Sequence, residues 1–369
     1  MALFTDLEPD LPRRRGNGWL GWSILGVALV GVTIVALVPA PYVIEQPGPV
    51  YDVLGDVTIQ GEQVPMIQIP SEETFPTEGS LDMLTVNVRG NPDSLPNWLE
   101  VATAYFDPSR AVVPVDEIYP PGVTVEDSNE QGRVDMENSQ QAAIAAALTN
   151  LGYDVPSQLK VVSTSEGSPS DGVLLPDDII LSVNGKTFED VTALRAEIAA
   201  NGVDKPAQVV IERGGAQQTL SITPVMSEGD APAPILGIIV GGEYEFPFDV
   251  TIQLENVGGP SAGMMFALGI IDKLTDGSLN GGERVAGTGT ITATGEVGPI
   301  GGIRQKMWGA LRENADWFLA PASNCNEVTG HIPAGLSVFS VETLDDALAA
   351  LEVISTGGDT SNLPTCPTS

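Results

Sequence analysis

The chain has 369 residues, 42% of them hydrophobic, with 41 glycines and 29 prolines, which suits two ordinary domains rich in turns. Its 49 acidic residues against 16 basic ones give a formal net charge of −33. Such a surface repels phosphate backbones and anionic headgroups, so nucleic acid is excluded as an expected partner.

Residues 18–38, GWLGWSILGVALVGVTIVALV, carry no charge and are long enough to cross a bilayer core as one helix. Arg13, Arg14 and Arg15 stand just before them, which keeps the N-terminal tail cytoplasmic and exports everything after Ala40. A cleaved secretory signal is the competing reading, with cleavage after Ala40. Pro41 is a poor residue beyond a scissile bond, and the run exceeds the usual ~7–15-residue signal core, so a retained single-pass anchor in the cell membrane is expected. The two cysteines, Cys325 and Cys366, both fall on the exported side, where an oxidising compartment permits a disulfide tying the tail to the preceding domain. Two free thiols are the alternative, and neither number nor spacing suits a zinc site.

After a Pro-rich spacer, a first strand is expected near Val50–Leu54, and alternating segments such as VPMIQI and LDMLTVNV make residues 61–135 read as strands. The Ala-rich NSQQAAIAAALTNLGY, residues 138–153, reads as a helix that Gly152 ends. From Gln158 strand-like runs alternate with turn clusters. A short helix over VTALRAEIAA follows, then a hairpin turning at Gly214-Gly215. The order of strand, GSP turn, strand pair, helix and hairpin resembles a PDZ domain of bacterial exported proteases. The matching residues are Gly167-Ser168-Pro169, Gly172, Pro176 to Ile180 and Val183-Asn184-Gly185. Asp177 stands where such domains usually carry glycine, and Asp tolerates a left-handed turn better than most residues. An extended tail could add to such a domain as a strand. NLGYD, residues 150–154, is the nearby candidate for its carboxylate loop, although a helix cap at Gly152 explains that stretch as well.

ENVGGPSAGMMFALGIIDKLT, residues 255–275, raises the question of chemistry. Gly258 and Gly259 allow a tight turn, Pro260 suits the first helical position, and Ser261 and Ala262 follow where backbone N–H groups are unpaired. A serine hydroxyl needs a base. His331, the one histidine, lies among turn residues in VTGHIPAGL and reads as an exposed loop residue. A lone carboxylate is too weak, and no ligand cluster for a metal hydroxide is visible. A lysine serves if burial keeps its amine neutral. Lys160, Lys186 and Lys205 fall in the PDZ-like block, and Lys273 stands about 18 Å along the helix from Ser261. Lys306 in GPIGGIRQKMWGA shares a helical face with Ile303, Met307 and Ala310, and so can point into an apolar interior.

GGPSAG followed by GTGTITATGEVGPIGG and GGIRQK, with a later APASN and a strand–helix ending, is similar to the proteolytic domain of Lon proteases over residues 238–353. The resemblance implies Ser261 as nucleophile, Lys306 as base and Thr288 as a hydroxyl that positions the lysine. Where that family commonly carries Asp, three positions before the serine, this chain has Gly258. No G-x-x-x-x-G-K-[ST] phosphate loop occurs, so no nucleotide and no cofactor is expected. Substrate is expected to lie extended beside VTIQLEN, residues 250–256, with backbone N–H groups around Ser261 holding the oxyanion.

The expected fold class is mixed α+β. A cytoplasmic tail (1–17) and a transmembrane helix (18–39) precede an exported region (40–157) that is a candidate part of the Lon-like sheet. A PDZ-like domain (158–226), a Lon-like proteolytic domain (227–353) and a tail (354–369) complete it. The expected function is ATP-independent serine endopeptidase action on exported or misfolded proteins, with protein or peptide substrates. Lon proteolytic domains form rings, which implies a homo-oligomer. The alternatives are an exported PDZ scaffold with an idle Lon-like domain, and a hydrolase that uses His331.

Overall fold

The computed structural model describes residues 18–120, 122–188, 190–227, 232–255 and 257–367, so the tail 1–17 lies outside the described residues. The uncharged run forms one helix, α1 (Gly18–Leu37). Counted over the side chains that are described, no helix is long and apolar enough to cross a membrane, so the structure shows the helix and not the crossing. Strand β1 (Tyr42–Asp52) follows, then β2 (Ser80–Arg89), helix α2 (Trp98–Tyr105), strand β3 (Ala111–Pro114) and the long helix α3 (Val125–Asn150).

The expectation of strands throughout 61–135 is therefore corrected twice, at α2 and at the first half of α3. Each begins at a reciprocal cap, Asn97 with Glu100 and Thr124 with Asp127, which satisfies backbone donors that a strand would not leave free. The Ala-rich half of α3 is buried from Ala142 to Leu148, and Gly152 ends the helix with φ +88°.

A five-stranded sheet carries the PDZ-like block. It contains β4 (Ser157–Thr164), β5 (Ile179–Val183), β6 (Ala207–Arg213), β7 (Ala216–Ile222) and β8 (Ile238–Tyr244) in the order β7-β6-β5-β4-β8. Helix α4 (Val191–Asn201) packs with it. Gly214 and Gly215 both take positive φ at the β6–β7 turn, and Asp177 sits at φ +69° in the position where glycine was expected. The fifth strand, β8, comes from beyond residue 226 and pairs with β4 from Ile238↔Thr164 to Tyr244↔Ser157. The sheet thus takes its edge from the segment that leads into the serine motif.

The remaining elements are α5 (Gly263–Leu274), β9 (Arg284–Gly287), α6 (Ile303–Arg312), β10 (Trp317–Pro321), β11 (Ser337–Val341) and α7 (Leu344–Ser355). With β1, β2 and β3 they build a six-stranded sheet in the order β11-β10-β9-β2-β1-β3. The β9 contacts are parallel and those of β1 antiparallel. Val53, Leu81, Ala143, Phe266, Leu319 and Leu351 share one core, so the region before the PDZ-like block and the region after it fold as one body. Cys325 and Cys366 are bonded, and Ser340 N–H donates to the Pro364 carbonyl, which fixes the C-terminal tail on this body.

Candidate active site

Pro260 is expected to open a helix, but α5 starts at Gly263 with Ala262 as its cap. The reason is the Ser261 carbonyl, which accepts from Gly289 N–H at 2.9 Å and from the Thr288 hydroxyl at 2.9 Å rather than joining the helical ladder. Ser261 is thereby held in a turn, its side chain half-buried, with the buried Ala262 behind it.

Lys306 lies in the first turn of α6. Gly302 caps that helix at φ +66°, and a Cβ there would meet Val86 Cγ2 of β2 at 2.6 Å, so both conformation and space require glycine. Asn324, from the APASN segment, accepts from Ile300 N–H and donates to the Ile300 carbonyl, both at 2.9 Å, and so pins the turn before α6. The result is a lysine 2% exposed whose Nζ stands 2.8 Å from Ser261 Oγ and 3.0 Å from Thr288 Oγ1. Burial pushes its pKa down from 10.5 to about 7, against a smaller upward pull from Glu45.

The proton count in this trio is informative. The single hydroxyl proton of Thr288 goes to the Ser261 carbonyl, so Thr288 Oγ1 can only accept from Lys306. A neutral amine that donates one N–H to Thr288 has its lone pair left for the Ser261 hydroxyl proton. His331 is exposed in its loop, its ring nitrogen 3.0 Å from the Thr329 carbonyl, and Lys273 reaches the Leu54 carbonyl. Neither belongs to this cluster.

A cleft of about 690 Å³ opens beside Ser261, lined by Tyr51, Met83, Thr85, Val86, Met136 and the Gly258–Ala262 turn among others. Its wall is the edge of β2. Strand β9 pairs with β2 only from Ser80 to Met83, and among the described residues no strand pairs with that edge beyond Met83. Thr251 and Ile252, in the segment beside which substrate is expected to lie, pair on one edge with Gln68 and Ile67, and Leu84–Val88 is an open edge that lines the cleft next to the serine.

Helix α3 supplies residues that sequence reasoning missed. The Gly132 carbonyl accepts from Gly259 N–H at 2.8 Å, and the buried Ser139 donates its hydroxyl to the Pro260 carbonyl at 2.8 Å. Asn138, beside it, donates to the Val240 carbonyl of β8 at 3.1 Å. The available signal was small residues, Gly132, Ser139 and Ala143, recurring on one helical face where a backbone approaches closely. Gly258 packs on Gly132, and a Cβ at 258 would stand 3.2 Å from the Gly132 carbonyl carbon. A side chain at this position would require the α3 backbone to give by a few tenths of an ångström.

Residues 256–353 match the Lon protease (S16) C-terminal proteolytic domain, and residues 122–223 match the PDZ domain. Lon protease 2 of Herpetosiphon aurantiacus is 31% identical over 191 residues, 50% of this chain and 22% of that protein. Lon protease of Geobacter metallireducens is 39% identical over 98 residues, 26% of this chain and 12% of that protein. The chain therefore spans about a fifth or less of the length of these relatives. The PDZ domain of an SdrC-like protein from Listeria innocua matches 22% of this chain and 92% of its own, at 22% identity and a TM-score of 0.21.

Proposed function

We propose that this chain is a membrane-anchored serine endopeptidase that works without ATP, with Ser261 as nucleophile and Lys306 as general base. The observation that carries the reading is the buried Lys306 amine 2.8 Å from Ser261 Oγ. In the neutral form Nζ takes the hydroxyl proton as Oγ attacks the substrate carbonyl carbon. Lys306 then gives that proton to the leaving amine. A water molecule, deprotonated by the same amine, attacks the acyl-serine ester and releases the second product, and the proton returns to Ser261 Oγ.

Among the described residues nothing accepts from the Ser261 and Ala262 amides, whereas the Gly259 amide is committed to Gly132. The first two are the donors for the oxyanion. An extended substrate pairs with the open Leu84–Val88 edge, which aligns a peptide carbonyl with Ser261 through main-chain bonds and so accepts varied sequences. Unfolded or misfolded exported polypeptide is the substrate class that fits.

The anchor is α1. Twenty helical residues span about 30 Å, the thickness of a bilayer core, and Arg13 to Arg15 precede them. The Cys325–Cys366 bond is compatible with an oxidising compartment for the body that follows. No phosphate loop occurs in this sequence, which supports action independent of ATP. The test pairs cleavage of an unfolded protein with labelling by a fluorophosphonate probe. Wild type is expected to cleave and to label at Ser261, and Ser261→Ala to do neither. Cleavage retained by pure Ser261→Ala protein would overturn the reading.

A further inference from the structure

We propose that α2 lies in the interfacial layer of the bilayer that α1 crosses, as a second, shallow membrane contact. The inference rests on the anchor reading above and goes beyond it. Helix α2 buries Val101 and Ala104 and turns the opposite side outward. That side carries Trp98, Leu99, Ala102, Thr103 and Tyr105, all exposed, and Phe106 follows at once. Tyr105 is 77% exposed and Phe106 83%, their rings edge-to-face at 5.6 Å. Its one charged residue, Glu100, is half-buried and paired with Arg89, so the outward face bears no charge in a chain of net charge −33. Solvent gives no reason for such a face, and amphipathic aromatic rings are the residues that favour the headgroup level.

The position of α2 selects lipid as the occupant. Its first residue donates its N–H to the Val38 carbonyl at 3.3 Å, one residue beyond the end of α1. Ala40 N–H donates to the Pro96 carbonyl at 2.8 Å, and Pro39 pairs with Asn97. The Trp98 ring meets Tyr42 edge-on at 5.9 Å. The start of α2 is thus tied to the point where α1 leaves the hydrocarbon, and an eight-residue helix is about 12 Å long, so it cannot stray far from that level. With no basic residue on the face, contact depends on apolar burial and not on anionic lipid. Strand β1 runs from Tyr42, and Pro49 lines the cleft, so at ~3.3 Å per residue two attachments hold the cleft within about 25 Å of the membrane surface.

The experiment uses the full chain in phosphatidylcholine vesicles, spin-labelled at one introduced cysteine at a time: Phe106→Cys, Thr103→Cys, Val27→Cys and Gln217→Cys. The native cysteines are bonded to each other. Thr103→Cys keeps every aromatic residue of the patch. Collision with oxygen reports lipid and collision with a nickel chelate reports water. Labels at 27, 103 and 106 are expected to lose nickel accessibility relative to 217, with 103 and 106 shallower than 27. If 103 and 106 match 217 while 27 is shielded, α2 lies in water and this inference falls while the anchor stands. If 27 also matches 217, the anchor reading falls and takes this inference with it.

Discussion

The Gly132 carbonyl of α3 accepts the Gly259 amide at 2.8 Å, and through it a helix is seated directly on the turn that carries Ser261. The contact is asymmetric in the space it leaves. A Cβ on Gly132 would stand 3.6 Å or more from Gly258 and Gly259, ordinary packing, whereas a Cβ on Gly258 would stand 3.2 Å from backbone of α3. Gly132→Ala is expected to keep full peptidase activity and to gain up to about 1 kcal/mol in helix stability. Gly258→Ala is expected to lower kcat, because the turn must move and misplacement of a nucleophile is costly. Paired kinetics and thermal melts of the two variants check this.

Ser139 acts through Pro260 and does not touch the reacting atoms. Its hydroxyl is buried and donates to the Pro260 carbonyl at 2.8 Å. Ser139→Ala removes the shorter of the two hydrogen bonds to that carbonyl and leaves only Gly263 N–H at 3.4 Å, at a cost of about 1 kcal/mol, and loosens the turn. A drop of about tenfold in kcat with KM little changed is expected. Ser139→Thr, which retains the hydroxyl, should recover part of it in the same assay.

Asp82 and Asp52 stand opposite each other across β2 and β1, and among the described residues Asp82 Oδ2 is buried without a hydrogen-bond partner, with the Arg284 guanidinium 3.8 Å away. Burial, then Asp52, raises the Asp82 pKa from 3.8 to about 6, with Arg284 opposing. Between these values the folded state holds a proton that the unfolded chain has lost, so stability falls as pH rises through the window. Above pH 6 the full cost, on the order of 3 kcal/mol, is present. Asp82→Asn should therefore raise Tm at pH 8 and leave it nearly unchanged at pH 4.

Lys306 is linked to stability with the opposite slope. The unfolded chain keeps that proton up to about 10.5, and the folded protein holds it only below about 7. Unfolding takes up a proton in between, so this group's contribution to stability rises with pH. Lys306→Met, which removes a buried ammonium, should stabilise the fold most below pH 7 and progressively less toward pH 10. Denaturant titrations at pH 6 and 9 measure the difference.

The serine and the lysine were legible because the turn glycines, the apolar face of α6 and the shortage of other bases constrain them locally, whereas Thr288 came only from the resemblance to the Lon proteolytic domain. The hairpin at Gly214-Gly215 and the left-handed Asp177 were legible for the same reason. The seat of Ser261 was not. Its carbonyl is drawn to Thr288 and Gly289 by a contact across the fold, which delays α5 to Gly263. Nor could spacing show that β2 leaves Leu84–Val88 open, because that depends on where β9 stops pairing. Residues 250–256 read as the substrate strand, and the partners of Thr251 and Ile252, Gln68 and Ile67, lie far away in the chain. The start of α3 lacks the Ala-rich run that marks its second half, and the Thr124–Asp127 cap that sets it is purely local.

The most direct test of the Ser261–Lys306 pair is the pH dependence of Ser261 acylation by a fluorophosphonate, measured as a second-order rate on the full chain. In wild type the rate is expected to rise through about pH 7, where the Lys306 amine becomes neutral, and to level off above it. Lys306→Met should lose that limb and most of the rate, while the fold is retained. An unchanged rate and an unchanged limb in folded Lys306→Met protein would contradict the assignment of Lys306 as the base.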